Sequence, residues 1–252
     1  MRRSLIAANW KMHKKIDEGL SFITGLKEKY PRTHPVEVVI CAPFTMLFAL
    51  AEKALGSGIS IGAQNLYWEK KGAYTGETSG QMIVDAGCEY VIIGHSERRQ
   101  YFHETNVEVN KKIKAAHAER LNVIFCIGES LTEREAGQTF TVVQKQLIEG
   151  LEGISEDALE SITLAYEPIW AIGTGVTATP EQAGEVHTFI RKLIREQFSD
   201  PAAEKMRILY GGSVKPGNVD QLMALDDIDG GLVGGASLEL SSFLQLINFK
   251  SS

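Results

Sequence analysis

Glu167 and His95 follow the apolar runs ITLAY and YVIIG directly, and Lys11 lies two positions beyond LIAAN. A carboxylate, an imidazole that can stay neutral and an ammonium are the groups needed to move a proton beside a carbonyl. They can also offset the charge that develops there. Two further runs end in glycine pairs, Gly211-Gly212 before Ser213, and Gly234-Gly235. Such pairs offer unhindered backbone N–H groups close to a helix start, a geometry that binds phosphate. Either pair alone reads as a simple turn. Both together, at the ends of successive runs, read as a phosphate cradle. The inventory points to proton transfer on a small phosphorylated substrate, with neither metal nor cofactor.

Each residue also has a plainer reading. A lone histidine after a strand is more often structural, and a lone lysine more often a solvated surface group. Their shared position with Glu167 favours the chemical reading here. Glu97 reads equally well as an ion-pair partner for Arg98 or Arg99. Glu129 reads as structural support for the loop after NVIFCI. The segment PIWAIGTG (168–175) has a stiff proline end, an apolar middle and the loosening glycines Gly173 and Gly175. It reads as a lid that closes over a pocket and excludes water. GHSER (94–98) and GGSVK (211–215) lack the second glycine of a nucleophile elbow, and His103-Glu104 has no second histidine for a zinc helix. The run ends also lack the clustered carboxylates that hold a divalent cation.

The elements that must carry these residues are visible as periodicity. Apolar, β-branched-rich runs cover 4–10, 36–43, 59–65, 90–96, 122–129, 162–168, 207–212 and 230–237. Consecutive apolar positions are expected of parallel strands covered on both sides. Between them lie amphipathic stretches, with Ile16, Leu20 and Ile23 on one face, then Val109, Ile113 and Ala116, then Val186, Ile190 and Leu193. The last such stretch runs from Leu238 to Phe249. Helix starts are predicted at Thr105-x-x-Glu108, Thr132-x-x-Glu135 and Thr179-Pro180-x-Gln182. Eight strand–helix units without a linker predict an α/β chain folded as one domain over residues 1–252. A closed (β/α)8 barrel is favoured over an open doubly wound sheet. In either, ligands gather at the carboxyl ends of the strands.

Composition narrows the class. The chain has 252 residues and a formal net charge of −6, which argues against nucleic acid as a partner. No apolar run approaches a membrane span. The basic start MRRSLIAANWKMHKK has too short an apolar stretch for a signal peptide, interrupted by Asn9 and Lys11. Cys41, Cys88 and Cys126 are odd in number and set in apolar segments. They read as reduced, packing thiols of a cytoplasmic protein.

AANWKM, AQN, GHSERR, FCIGE, AYEPIWAIGTG, YGGSV and GLVGGASL occur in that order across the whole chain. On these motifs the sequence resembles the triosephosphate isomerase family. The resemblance implies a (β/α)8 barrel that interconverts dihydroxyacetone phosphate and glyceraldehyde 3-phosphate through an enediol(ate), a step of glycolysis and gluconeogenesis. It implies Glu167 as base, His95 as neutral electrophile and Lys11 as the positive charge. Asn9 would be a hydrogen-bond donor to the reacting oxygens, and Glu97 would position Lys11 or pass protons. Gly173, Ser213, Gly234 and Gly235 would hold the phosphate. It also implies a homodimer in which the loop 65–80 enters a second subunit, bringing Thr75 near the neighbour's Asn9 and Lys11. Val176 stands at a lid-hinge position where many family members carry lysine, and an altered hinge contact without loss of chemistry is expected. The rival readings are a barrel aldolase using Lys11 as a Schiff-base amine and a non-catalytic phosphate-binding barrel.

Overall fold

The structure is a computed structural model describing residues 2–172 and 177–250. Its eight strands are β1 Leu5–Asn9, β2 Glu37–Ala42, β3 Ile59–Ala63, β4 Tyr90–Ile93, β5 Asn122–Ile127, β6 Ile162–Tyr166, β7 Ile208–Tyr210 and β8 Gly230–Val233. Every strand is parallel to its neighbours in sequence order. β8 closes on β1, with Leu5 opposite Gly230 and Ala8 opposite Val233. Helices fill the connections, so this is a (β/α)8 barrel.

Side-chain alternation along the strands divides the core in two. Leu5 and Ala7 of β1, Ala165 of β6, Leu209 of β7 and Leu232 of β8 fill the barrel interior. Their neighbours Ile6, Ala8, Leu164, Tyr166, Ile208, Tyr210 and Val233 face the helices. Continuing the same two-residue period past the strand ends turns Asn9, Glu167, Gly211 and Gly234 inward over the barrel mouth. The fold thus aims the site by parity alone at four of its corners. His95 lies out of step with Ile92. Gly94, at φ 75°, supplies the left-handed turn that redirects the chain before it.

Trp10 locks the end of β1 to the turn after β8. It is fully buried, meets Phe22 edge-on at 5.1 Å and donates from Nε1 to the Ser237 carbonyl at 3.3 Å. Removing a buried aromatic of this size costs about 3–5 kcal/mol, so Lys11 is anchored one residue from a strong packing contact.

Two expectations about helices need correction. In the helix Ile16–Lys29, Ile16 is 43% exposed, and the buried face is Gly19, Phe22, Ile23 and Leu26. Ile16 opens the helix at a point that swings clear of the core. The helix start expected at Thr132 lies two residues earlier: Ser130 caps Leu131–Glu135, with Glu133 completing the reciprocal pair. Both S/T-x-x-E spacings are present in the sequence, and only the earlier one coincides with the end of the strand–loop connection. The last amphipathic stretch, 238–249, carries the helix Leu240–Ile247, which a short 3-10 turn, Gly235–Ser237, precedes. The capping boxes at Thr105 and Thr179 form as expected.

Candidate active site

Lys11 reaches the barrel mouth through an unusual backbone. Its φ is 50°, a left-handed conformation that costs a non-glycine residue energy. The surroundings hold it there. Its N–H donates to Asn9 Oδ1 at 3.0 Å, and Gln64 Nε2 donates to its carbonyl at 2.9 Å. Gln64 also donates to the Cys41 carbonyl at 3.1 Å, so β2 and β3 jointly fix the bend. The ammonium meets Glu97 Oε1 at 2.5 Å. Neither Arg98 nor Arg99 takes Glu97: Arg98 bonds Glu104, and Arg99 bonds the Gly94 carbonyl and Asn106.

His95 is the N-cap of the helix Ser96–Phe102. Its Nδ1 accepts from the Glu97 N–H at 3.2 Å. An acceptor nitrogen carries no hydrogen, so Nε2 carries it and donates to Glu167 Oε1 at 3.0 Å. This is the geometry of a neutral imidazole with its N–H turned into the site. The first-turn N–H and the positive end of the helix both oppose a proton on Nδ1.

Glu167 is buried against these groups. Ser96 donates to it twice, from the backbone N–H at 2.9 Å and from the hydroxyl at 3.3 Å. Two glycines allow the close approach. A Cβ at Gly128 would lie 1.8 Å from the Glu167 carbonyl oxygen, and one at Gly211 would lie 2.8 Å from Glu167 Cγ. Burial raises the Glu167 pKa, but His95, the Ser96 N–H and the Lys11 charge lower it further, leaving it below the ordinary carboxylate value. For His95, burial lowers the pKa and the adjacent carboxylate raises it more, so its shift in this resting pose is upward. Glu97 adds to that upward pull, while the Lys11 charge opposes it.

A cavity of about 240 Å³ joins these groups to the glycine ends of β7 and β8. Asn9, Lys11, His95 and Glu167 line one side, and Gly212, Ser213, Gly234 and Gly235 the other. Among the described residues, the backbone N–H groups of Gly212, Ser213 and Gly235 meet no acceptor. They leave free donors at one end of the cavity and proton-handling groups at the other. Ile172 of the 168–175 segment lines the cavity. Gly173 and Val176 lie outside the described residues. Among the described residues, no cluster of His, Cys, Asp or Glu could hold a metal ion, and no helix is long and apolar enough to cross a membrane.

Glu129 lies just beyond the cavity and takes three donors on Oε1: Arg134, the Tyr166 hydroxyl and Trp170 Nε1. It braces the first turn of the 168–175 segment. All three cysteines are free and buried. Two contributors were missed at the level of sequence. Ser96 was visible only as the neighbour of His95, and nothing in its type revealed that it holds Glu167. Gln64 stood at a strand end with no assigned task. Its signal is its adjacency to the Asn9–Lys11 strand end across a parallel sheet.

Comparison with known proteins bears on this geometry. A family model described as Triosephosphate isomerase matches residues 4–250. The chain is 54% identical to a protein named Triosephosphate isomerase from Endomicrobium trichonymphae, over 99% of each chain. It is 55% identical to the protein of that name from Moorella thermoacetica, again over 99% of each. For the one from Lactiplantibacillus plantarum the identity is 50% over 100% of both chains.

Proposed function

The chain belongs to the triosephosphate isomerase family, and from that premise we propose how its residues divide the work of an aldose–ketose isomerase. The reaction interconverts dihydroxyacetone phosphate and D-glyceraldehyde 3-phosphate. Glu167 leaves Ser96, takes a proton from C1 of the ketone and returns it to C2. His95 donates from Nε2 to the carbonyl oxygen as negative charge develops and moves protons between the two oxygens. The enediol(ate) collapses to the aldehyde when Glu167 gives its proton back, so the enzyme ends as it began. Lys11 and Asn9 offset charge on the same oxygens, and Glu97 positions Lys11. The N–H groups of Ser213, Gly234 and Gly235 take the phosphate. Gly173 joins them on resemblance alone. Closure of the 168–175 segment keeps water from the enediolate, which would otherwise lose phosphate.

The observation that carries this reading is the pairing, in one cavity, of the Glu167–His95 contact at 3.0 Å with free backbone donors. A Schiff-base role for Lys11 fits less well, because its nitrogen is already engaged by Glu97. The test is coupled isomerisation of glyceraldehyde 3-phosphate by purified protein in metal-free buffer. Turnover is expected, and its absence would overturn the function.

The whole chain, residues 1–252, acts as one catalytic domain in the cytoplasm, as a homodimer. Support for the dimer comes from the loop 65–80. Tyr67 stacks on Trp68 at 4.1 Å and meets Tyr74 at 4.7 Å, while the Tyr67 N–H donates to the Thr78 carbonyl at 2.8 Å. The loop is therefore a preformed protrusion with Thr75 at its exposed tip. Beside the catalytic cavity lies a second one of about 260 Å³, bordered by Asn9, Lys11, Phe44 and Phe102. Met12 at its edge is 94% exposed. With Phe44 and Phe102, which are also exposed at this cavity, it forms an apolar patch that fits a subunit contact.

A further inference from the structure

We propose that Asn218 is a positioning residue for the phosphate end of the site, an inference that rests on the isomerase reading given above. Asn218 lies outside the lining of the catalytic cavity. Its side chain nevertheless spans the loop after β7. Nδ2 donates to the Ser213 carbonyl at 2.9 Å, and Oδ1 accepts from the Lys215 N–H at 2.7 Å. The backbone closes the same turn, with the Asn218 and Val219 N–H groups both donating to the Lys215 carbonyl at 3.1 Å.

The segment needs such a tie. It begins with Gly211-Gly212 and passes through Gly217. Glycines leave a loop without intrinsic stiffness. Ser213 and its neighbour Val214 line the cavity, and neither of their N–H groups meets an acceptor among the described residues. The peptide that joins them is planar, so its carbonyl and its N–H point in opposite directions. Tethering the Ser213 carbonyl to Asn218 therefore turns the Val214 N–H away from Asn218. It also fixes ψ of Ser213. The Val214 N–H and the stretch that carries the Ser213 N–H are ordered before an anion arrives, which removes an ordering cost from binding. No other side chain among the described residues bonds the backbone of residues 211–215.

The experiment compares Asn218→Ala with the unchanged protein on two substrates, D-glyceraldehyde 3-phosphate and unphosphorylated D-glyceraldehyde, with inorganic phosphate as competitive inhibitor. For the phosphorylated substrate KM is expected to rise about tenfold, the scale of one lost tether to an anion-binding loop. Phosphate inhibition should weaken in parallel. Turnover of glyceraldehyde should stay within about twofold, because that substrate never uses the loop. Its retention also shows that the variant is folded. Equal losses on both substrates would mark Asn218 as merely structural and overturn the proposal, as would unchanged KM and unchanged phosphate inhibition. If the unchanged protein itself shows no phosphate inhibition and no preference for the phosphorylated substrate, the phosphate-cradle reading fails, independently of Asn218.

Discussion

The two sides of the catalytic cavity are built on opposite principles. At the ends of β1, β4 and β6 the chemistry is in side chains, and each is held by a named neighbour. Lys11 is held by Glu97, His95 by the Glu97 N–H, and Glu167 by Ser96 and His95. At the ends of β7 and β8 the donors are backbone N–H groups of Gly212, Ser213 and Gly235, two of which have no side chain at all. The first side must keep groups with opposing charges at defined protonation. The second must only present fixed dipoles to a dianion. The first is accordingly sensitive to atoms, the second to loop shape.

The largest expected effect falls on the first side alone. Glu167→Asp withdraws the base by one methylene, and a displacement of about 1 Å can cost on the order of 100-fold in rate. Inhibition by inorganic phosphate should be nearly unchanged, since the cradle is untouched. Steady-state kinetics with the inhibitor decides it. Near-normal turnover would remove Glu167 from the base role, and a parallel loss of phosphate binding would erase the division between the two sides.

A smaller effect is expected where the sides meet. Gly211 opens the phosphate loop and also flanks the base. A methyl there would come 2.8 Å from Glu167 Cγ and 3.0 Å from the Tyr166 carbonyl oxygen. Gly211→Ala should therefore lower kcat and raise KM together, by about tenfold in all if the neighbours give by a few tenths of an ångström. A change confined to KM would show that the glycine serves only the loop.

The contrast also accounts for what the sequence revealed. Strand ends could be read because apolar runs stop there, and the barrel followed from their number. Glu167, His95 and Lys11 were conspicuous as polar residues at such ends, and the glycine pairs as hindrance-free backbone. Each is legible by its type. What holds them was not. Ser96 and Gln64 are common polar residues whose tasks depend on which strand end lies across from them. That is a property of the closed barrel rather than of local spacing. The same limit explains Glu97. Its neighbours in sequence, Arg98 and Arg99, suggested a local ion pair, but the helix geometry points them at Glu104 and Asn106, leaving Glu97 to Lys11 from β1.

The mildest perturbation tests how firmly the base is held. Ser96→Ala removes the hydroxyl 3.3 Å from Glu167 Oε1 and leaves the backbone donor at 2.9 Å in place. Burial alone raises the Glu167 pKa; His95, the Ser96 backbone N–H and Lys11 reverse that and bring it below the ordinary carboxylate value. A group whose pKa is depressed on folding contributes stability above its unfolded value and loses it as pH falls through the folded one. The acid limb of kcat/KM, which reports the free enzyme, should therefore lie below the usual range of a glutamate. Without the hydroxyl the carboxylate is less favoured, so that limb should move to higher pH while activity on the neutral plateau changes only a few-fold. The cradle has no share in this titration, so phosphate inhibition on the plateau should not follow the shift. A pH–rate profile of the variant with an unmoved acid limb would mean that the backbone N–H and His95 alone hold the base. The side-chain half of the cavity would then rely, like the other half, on backbone dipoles.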